Sequence, residues 1–133
     1  MTPLQTVESI YDAFRRGDIP YILSQLAPDV RWSQPASTPW GGDYGSAAEV
    51  ARFFSRIDES VETTGFEIDE NIETKDQVFS YGFYSSRNRA TGRESRVRFA
   101  FRWRISGGKV ALYEGVLDSA PIAQAARAEA AHA

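Results

Sequence analysis

Residues 96–118 read RVRFAFRWRISGGKVALYEGVLD, and this stretch decides the fold. In its first half every second residue is large and apolar, and the set comprises Val97, Phe99, Phe101, Trp103 and Ile105. Because alternate side chains of a strand point to opposite faces, the pattern predicts a strand with one aromatic face and one arginine-rich face. Ser106-Gly107-Gly108 suits a tight turn, so the stretch is predicted to form a long antiparallel hairpin.

The returning half of this hairpin carries two carboxylates. Val110, Leu112, Glu114, Val116 and Asp118 share one parity, so an uninterrupted strand puts Glu114 and Asp118 on the same face. We expect that face to be the aromatic wall. Four residues of strand span roughly 13 Å, which is too far for the two carboxylates to act as a pair. A twist or bulge that turns Glu114 outward is the alternative.

The segments before the hairpin predict helices followed by strands. Helical apolar periodicity, with a start signal at its beginning, occurs in residues 2–17, 18–27 and 46–58. Alternation typical of strands occurs in residues 29–34, 66–73 and 77–87. Helices segregated from an antiparallel sheet make an α+β fold. We expect three N-terminal helices to pack on a curved sheet around an apolar pocket.

The chain is predicted to be a single domain over residues 1–133, with a C-terminal tail at 121–133 that includes an alanine-rich helix. There is no run of about 18 apolar residues and no secretory leader. We therefore expect a soluble, cytoplasmic protein that does not bind membranes.

Composition excludes several kinds of chemistry. The chain has no cysteine, which removes disulfides, thiolate nucleophiles and zinc–thiolate sites. The single histidine, His132, is one residue from the C-terminus, so a histidine-based metal site or a Ser-His pair is not expected. We expect no cofactor and no metal. Any chemistry then has to come from carboxylates, tyrosines, arginines and amides.

Charge is unevenly distributed, although the net charge is only −3. Residues 58–76 hold eight acids and one base, and residues 87–104 hold seven arginines and one acid. Arginine binds phosphate well, but the negative net charge and the lack of a recognition motif favour no nucleic-acid binding. The arginine block is predicted to face solvent or an interface. Pairing of the two blocks across a symmetric dimer is a further hypothesis.

Four segments resemble the SnoaL-like and ketosteroid-isomerase-related proteins of the NTF2-like superfamily. They are VESIYDAFRRGD at 7–18, LAPDVRW at 26–32, YGSAAEVARFF at 44–54, and GGKV through LDSA at 107–120. The resemblance implies a cone-shaped α+β fold. It also implies a homodimer packed through the convex sheet faces, which would place Phe79, Tyr81 and Phe83 at the interface.

Ketosteroid isomerase provides the first comparison of catalytic positions. Tyr11 falls on the position of the tyrosine that serves as its oxyanion donor. The general base corresponds to Gln34, which cannot take a proton, and the second acid corresponds to Ala100 or Phe101. The resemblance therefore does not extend to isomerisation by the standard route.

Limonene-epoxide hydrolase and the SnoaL-type cyclases provide two more comparisons. The last aspartate of the hydrolase Asp-Arg-Asp set corresponds to Asp118, while the other two members fall roughly on Gly82 and Tyr84. The cyclases pair an aspartate near this point with a histidine, and His132 is far away in the sequence. In each comparison this sequence has one part of the relative's catalytic set and lacks the rest.

Asp118 and Tyr11 are the predicted catalytic residues, each with an alternative role. A carboxylate desolvated in an aromatic pocket becomes a usable general acid or base. Asp118 also precedes a predicted helix, where aspartate is a favoured N-cap worth about 1 kcal/mol. Tyr11 is predicted to donate to a ligand carbonyl or to pack in the core. Gln34, a polar amide of inward parity, is predicted to orient a ligand or a water molecule.

Aromatic residues supply most of the remaining predicted ligand contacts. The full set is Trp32, Gln34, Trp40, Tyr44, Phe54, Tyr84, Phe101, Trp103 and Glu114. Trp40 and Tyr44, in a glycine-rich segment, form either a lid or ordinary loop packing. Two functions follow: an enzyme in which Asp118 moves a proton on a small hydrophobic, cyclic, oxygenated molecule, or a dimeric binding or structural module without chemistry.

Overall fold

The computed structural model describes the backbone of residues 1–132 and the side chains of residues 1–127. The side chain of His132 therefore lies outside the described part. The elements are α1 (Pro3–Arg16), α2 (Ile19–Ser24), β1 (Leu26–Gln34), β2 (Gly42–Tyr44), α3 (Ala47–Ser60), β3 (Val61–Glu73), β4 (Gln77–Asn88), β5 (Glu94–Ser106), β6 (Lys109–Leu117) and α4 (Ala120–His132). In residues 1–132, no helix is long and apolar enough to cross a bilayer.

A six-stranded sheet in the order β2-β1-β6-β5-β4-β3 is the frame of the molecule. Strands β3 to β6 form the predicted antiparallel meander, and Gly107 and Gly108 make the turn of its last hairpin at φ 58° and 77°. Glycine suits this turn because both residues are in the left-handed region. Strand β1 pairs in parallel with β6, so the first strand of the chain lies beside the last. The α+β fold is confirmed.

Side-chain caps fix the starts of the first three helices, as the sequence predicts. Thr2 and Gln5 cap α1 reciprocally, Asp18 accepts from the Tyr21 backbone N–H in α2, and Ser46 accepts from the Glu49 backbone N–H in α3. These bonds satisfy backbone donors that a helix start leaves free. One boundary differs from the prediction, because α3 runs directly into β3 without a polar turn.

A bulge in β6 reverses the predicted facing of its second half. Ile105 of β5 pairs with Val110, and the residue before it, Arg104, pairs with Leu112, so Ala111 is an extra residue in β6. One extra residue moves every later side chain to the opposite face. The structure therefore has the alternative in which a bulge turns Glu114 outward, and the expectation that Glu114 and Asp118 share the aromatic wall is wrong.

The concave face of the sheet and the helices enclose an aromatic core. On β5 the predicted inward set is buried throughout, from Val97 to Ile105. The Phe99 and Phe101 rings stack at 4.0 Å, and Trp32 contacts Trp103 edge-on at 5.6 Å. Such ring contacts add to the large apolar area that each aromatic side chain buries.

The acidic and arginine-rich blocks pair within one chain. Arg87 contacts Glu62 at 2.9 Å across the β3–β4 ladder, and Arg96 contacts Glu67 at 3.4 Å. A third pair joins Arg89 to an aspartate at the end of α3 at 3.3 Å. The acidic block and the arginine-rich block therefore form ion pairs with each other inside one chain, and this pairing does not require a second subunit.

Candidate functional site

A cavity of about 60 Å³ lies between the helices and the concave face of the sheet. Its lining consists of Ile10, Tyr11, Phe14, Ile22, Trp32, Gln34, Trp40, Phe54, Ile57, Phe66, Tyr84, Phe101, Trp103, Tyr113 and Leu117. Among these side chains none is a carboxylate, a lysine, an arginine or a histidine. The only polar atoms that they bring are one amide, three phenol hydroxyls and three indole N–H groups.

Most of the residues predicted to contact a ligand surround this cavity. They are Tyr11, Trp32, Gln34, Trp40, Phe54, Tyr84, Phe101 and Trp103. Tyr44, Glu114 and Asp118 are outside its lining. Whether the lining residues bind a ligand stays a prediction.

Both carboxylates expected at the site face water. The Glu114 side chain is 53% exposed and lies 3.9 Å from Arg102 on the outer face of the sheet. Asp118 is exposed beyond the end of β6, where its backbone N–H donates to the Arg98 carbonyl oxygen. The expected position of Asp118 in the aromatic pocket is wrong, because the bulge turns Leu117 inward and Asp118 outward.

A hydrogen-bonded chain of three side chains crosses one end of the cavity. Trp40 Nε1 donates to Gln34 Oε1 at 2.8 Å, and Gln34 Nε2 donates to the Tyr113 hydroxyl oxygen at 2.6 Å. An indole nitrogen can only donate, so the Gln34 oxygen has to face Trp40 and its nitrogen has to face Tyr113. The Tyr113 oxygen is therefore an acceptor, and its own hydrogen has no acceptor among the described residues.

Glycine at position 115 makes room for this chain. A Cβ there would collide with the Tyr113 hydroxyl and would come within 2.9 Å of Gln34 Cγ. Gly115 lies two residues after Tyr113 on the same inward face of β6. Any larger residue would push the hydroxyl and the amide apart.

A second hydrogen-bonded chain fixes Tyr11. Trp103 Nε1 donates to the Tyr11 hydroxyl oxygen at 2.8 Å, and the Tyr11 hydroxyl donates to Ser80 Oγ at 2.7 Å. Ser80 in turn donates to Asn71 Oδ1 at 2.6 Å. Both hydrogen-bonding functions of the Tyr11 hydroxyl are thus used within the protein. Tyr11 can donate to a ligand only by giving up its bond to Ser80.

The tyrosines of the cavity keep their protons at neutral pH. Burial raises the pKa of Tyr113 and of Tyr11 well above that of a free phenol, although hydrogen bonds from their partners oppose the shift. Burial raises the pKa of Tyr84 to about 12, against the lowering effect of its bond with Thr63. Each of them is a neutral donor or acceptor at pH 7 and not a base.

One buried donor lacks a partner. Trp32 is 3% exposed, and its Nε1 makes no hydrogen bond within the described part of the chain. Its ring packs 4.2 Å from the Tyr113 ring, centroid to centroid. Such orphaned polar groups are rare in native proteins and call for an explanation.

The segment between β1 and β2 is fixed in place. Trp40 is 1% exposed, and the Tyr44 hydroxyl donates to the Trp40 carbonyl oxygen at 2.7 Å. Arg56 from α3 donates to the same hydroxyl at 2.8 Å. Trp40 and Tyr44 are thus buried packing residues, which favours the alternative of ordinary loop packing over a lid.

Comparison with known proteins establishes the family. A family model of the SnoaL-like domain matches residues 7–113. The chain belongs to the SnoaL-like family. The fold places this SnoaL-like protein in the NTF2-like superfamily, as the sequence segments indicate. No protein with a curated functional description matches it.

Several solved structures share the fold of this SnoaL-like protein. An NTF2-like protein of Burkholderia thailandensis is 34% identical with a TM-score of 0.88, over 94% of this chain and 97% of that one. An NTF2-like protein of unknown function from Burkholderia pseudomallei is 31% identical with a TM-score of 0.83, over 90% and 93%. TerC, co-crystallised with polyporic acid, is 23% identical with a TM-score of 0.81, over 94% and 98%.

Tyr113 is the polar lining residue that sequence reasoning missed. If β6 had no bulge, Tyr113 would lie on the same face as Ala111 and would point outward. Ala111 itself gives no sign of the bulge. The one available signal is Gly115, since a glycine inside a strand often marks a bulge or a close approach. In this SnoaL-like protein it marks the close approach of Tyr113 and Gln34.

Proposed function

We propose that this SnoaL-like protein binds a small hydrophobic, oxygenated molecule in the cavity between helices and sheet, without proton transfer by the cavity residues. The observation that carries this proposal is the lining: fifteen residues, none of them charged. A mostly apolar concave site with a few placed polar groups is typical of small-molecule binding.

The size of the cavity limits the ligand. Its volume of about 60 Å³ is below the roughly 150 Å³ of an apolar cavity that holds benzene. The half-buried side chains of Phe14, Phe54 and Phe66 adjoin one another on one side. We place the entrance there, because these three rings line the cavity and are also partly exposed to solvent, so that their outward rotation would open a path to it. A single-ring molecule then fits once they have moved.

The enzymatic alternative requires a proton acceptor that can reach the ligand. Tyr11, Tyr84 and Tyr113 are neutral at pH 7 because burial raises the pKa of each. Asp118 is exposed and is absent from the lining. Efficient general base catalysis needs a group with a pKa near the working pH within hydrogen-bond reach. The geometry therefore favours binding over catalysis.

A thermal-shift screen of small cyclic ketones, ethers and hydrocarbons tests the proposal. We expect wild type and Asp118→Asn to show equal ligand-induced shifts, because Asp118 does not line the cavity. Leu117→Phe adds bulk to the lining and should reduce the shift relative to its own unliganded protein. Turnover of a bound compound that Asp118→Asn abolishes would contradict the proposal, and so would shifts that Leu117→Phe leaves intact.

The outer face of the sheet supports a second proposal, a homodimer. Tyr81, Ala100 and Val116 lie side by side on adjacent strands, and Tyr81 and Val116 are 37% and 58% exposed. Large apolar residues exposed together often mark an interface. We expect wild type to elute as a dimer in size-exclusion chromatography with light scattering, and Val116→Glu to elute as a monomer. A monomeric wild type would refute the dimer.

A further inference from the structure

Two hydrogen-bond donors on adjacent rings of the cavity are left without acceptors. One is the Trp32 indole N–H, which makes no bond within the described residues. The other is the Tyr113 hydroxyl hydrogen, since the bond that this hydroxyl makes within the described residues is accepted by its oxygen from Gln34. The two rings pack with their centroids 4.2 Å apart, and both line the cavity.

The other donors of the lining are already used. Trp40 donates to Gln34, Trp103 donates to Tyr11, and Tyr11 donates to Ser80. Tyr84 shares its hydroxyl with Thr63 at 2.8 Å. Among the indole N–H groups and phenol hydroxyls of the lining, Trp32 makes no bond within the described residues and Tyr113 only accepts one. Acceptor atoms are scarce beside them, since Gln34 Oε1 already accepts from Trp40.

We infer that the Trp32 N–H and the Tyr113 hydroxyl form a two-donor subsite for a carbonyl oxygen of a small cyclic ketone. A carbonyl oxygen has two lone pairs and no hydrogen, so it can accept from both donors without needing a bond in return. An amine or ammonium group brings hydrogens to a place where Gln34 Oε1 and the Tyr113 oxygen each already accept a bond, and a hydrocarbon leaves both donors unpaired. The subsite therefore selects for ketones over isosteric alkenes.

The electrostatic state of the site agrees with this assignment. Burial raises the pKa of Tyr113, so its hydroxyl keeps the hydrogen that it would donate throughout the physiological range. The Trp32 ring is held by edge contacts with Phe53 and Trp103, each at 5.6 Å, which limits its rotation. A preorganised donor loses little entropy when a ligand arrives.

The three tryptophans of the chain give the test its internal controls. Cyclohexanone and methylenecyclohexane have the same shape and differ in the C=O group, so both are titrated into ¹⁵N-labelled protein. We expect the Trp32 indole N–H signal to move downfield with cyclohexanone only. The signals of Trp40 and Trp103, whose N–H groups are already bonded, should move much less.

Two variants identify the donors. Trp32→Phe assigns the shifting signal and should lower the preference for cyclohexanone over methylenecyclohexane by roughly three- to tenfold, the usual effect of one neutral hydrogen bond. Tyr113→Phe should lower the same ratio. Tyr21→Phe is the matched control, since it removes a phenol hydroxyl that donates to Ser9 outside the cavity lining and should leave the ratio unchanged.

The subsite rests on the proposed binding function, and the experiment separates the failure of each. Equal affinity for the two compounds, with no selective movement of the Trp32 signal, would overturn the subsite and leave the binding function standing. Failure of both compounds to bind at millimolar concentration would overturn the binding function and the subsite together.

Discussion

The donor-only chemistry of tryptophan sets the direction of both hydrogen-bonded chains in the cavity. Trp40 and Trp103 each start a chain, because an indole N–H can donate but not accept. The chain from Trp103 continues through Tyr11 into Ser80, so it ends inside the protein. The chain from Trp40 ends at the Tyr113 hydroxyl hydrogen, which the protein does not use. Two tyrosines of the same cavity thus have different roles.

Removal of the Tyr11 hydroxyl tests its structural role. Tyr11→Phe leaves the Trp103 N–H without an acceptor and Ser80 Oγ without its donor. We expect it to lower the free energy of unfolding by about 2 kcal/mol, within the range for an unpaired buried polar group. Urea unfolding measures the change.

Tyr21→Phe is the control for that experiment. The Tyr21 hydroxyl donates to Ser9 Oγ at 2.9 Å in a half-buried position that water can reach. We expect a loss below about 1 kcal/mol, because water can replace the missing partner. Equal losses of unfolding free energy in the two variants would show that the buried Tyr11 hydroxyl contributes no more to stability than the half-buried Tyr21 hydroxyl.

At the scale of the strands, the alternation of apolar and polar residues predicted correctly which side chains of β5 face inward, but it did so only in part for β6. The inward set of β5 is buried because no bulge interrupts the strand. In β6 the extra residue is Ala111, which carries no local mark of a bulge, so the exposure of Glu114 and Asp118 and the burial of Tyr113 were not predictable from the pattern. In β3 a register shift between Ile68 and Glu70 has the same effect on Ile72, which is 43% exposed.

The fold and the aromatic character of the cavity were therefore predictable from the sequence, while its polar groups were not. Apolar periodicity and caps are local, and they specify which elements form. The direction of a hydrogen bond such as that from Gln34 to Tyr113 depends on residues far apart in the chain. The register that joins β1 to β6 decides that contact, and local pattern does not contain it.

A substitution at Gly82 tests how closely β3 packs against β4. A Cβ at this position would collide with the Glu67 carbonyl oxygen, which is backbone and cannot rotate away, and would come within 2.9 Å of Phe99 Cζ. We expect Gly82→Ala to lower the free energy of unfolding by about 3 kcal/mol, since relief requires a shift of a strand.

Gly65→Ala on the neighbouring strand is the matched control. A Cβ there would lie 3.3 Å from Ser85 Cβ, a contact that a small side-chain adjustment relieves. We expect a change within about 1 kcal/mol, of either sign, because alanine also reduces the entropy of the unfolded chain. A Gly82→Ala variant as stable as Gly65→Ala would show that β3 and β4 are less closely apposed than the structure indicates.

For the molecule as a whole, three buried tyrosines predict instability in alkali. Burial raises the pKa of Tyr84 to about 12 and raises those of Tyr11 and Tyr113 as well, whereas the ordinary pKa of a tyrosine is 10.0. Below pH 10 both the folded and the unfolded states keep these protons, so the stabilisation is fully present. Above pH 10 the unfolded state releases them first, and the folded state loses stability as pH rises towards the raised pKa values.

Each buried tyrosine contributes up to about 1.4 kcal/mol per pH unit to that loss. The free energy of unfolding, measured in urea from pH 9 to pH 11.5, should therefore fall less steeply for Tyr84→Phe than for wild type. The lost bond to Thr63 lowers stability equally at every pH, so it does not alter the slope. An unchanged slope in Tyr84→Phe would show that the Tyr84 hydroxyl is hydrated in the folded protein.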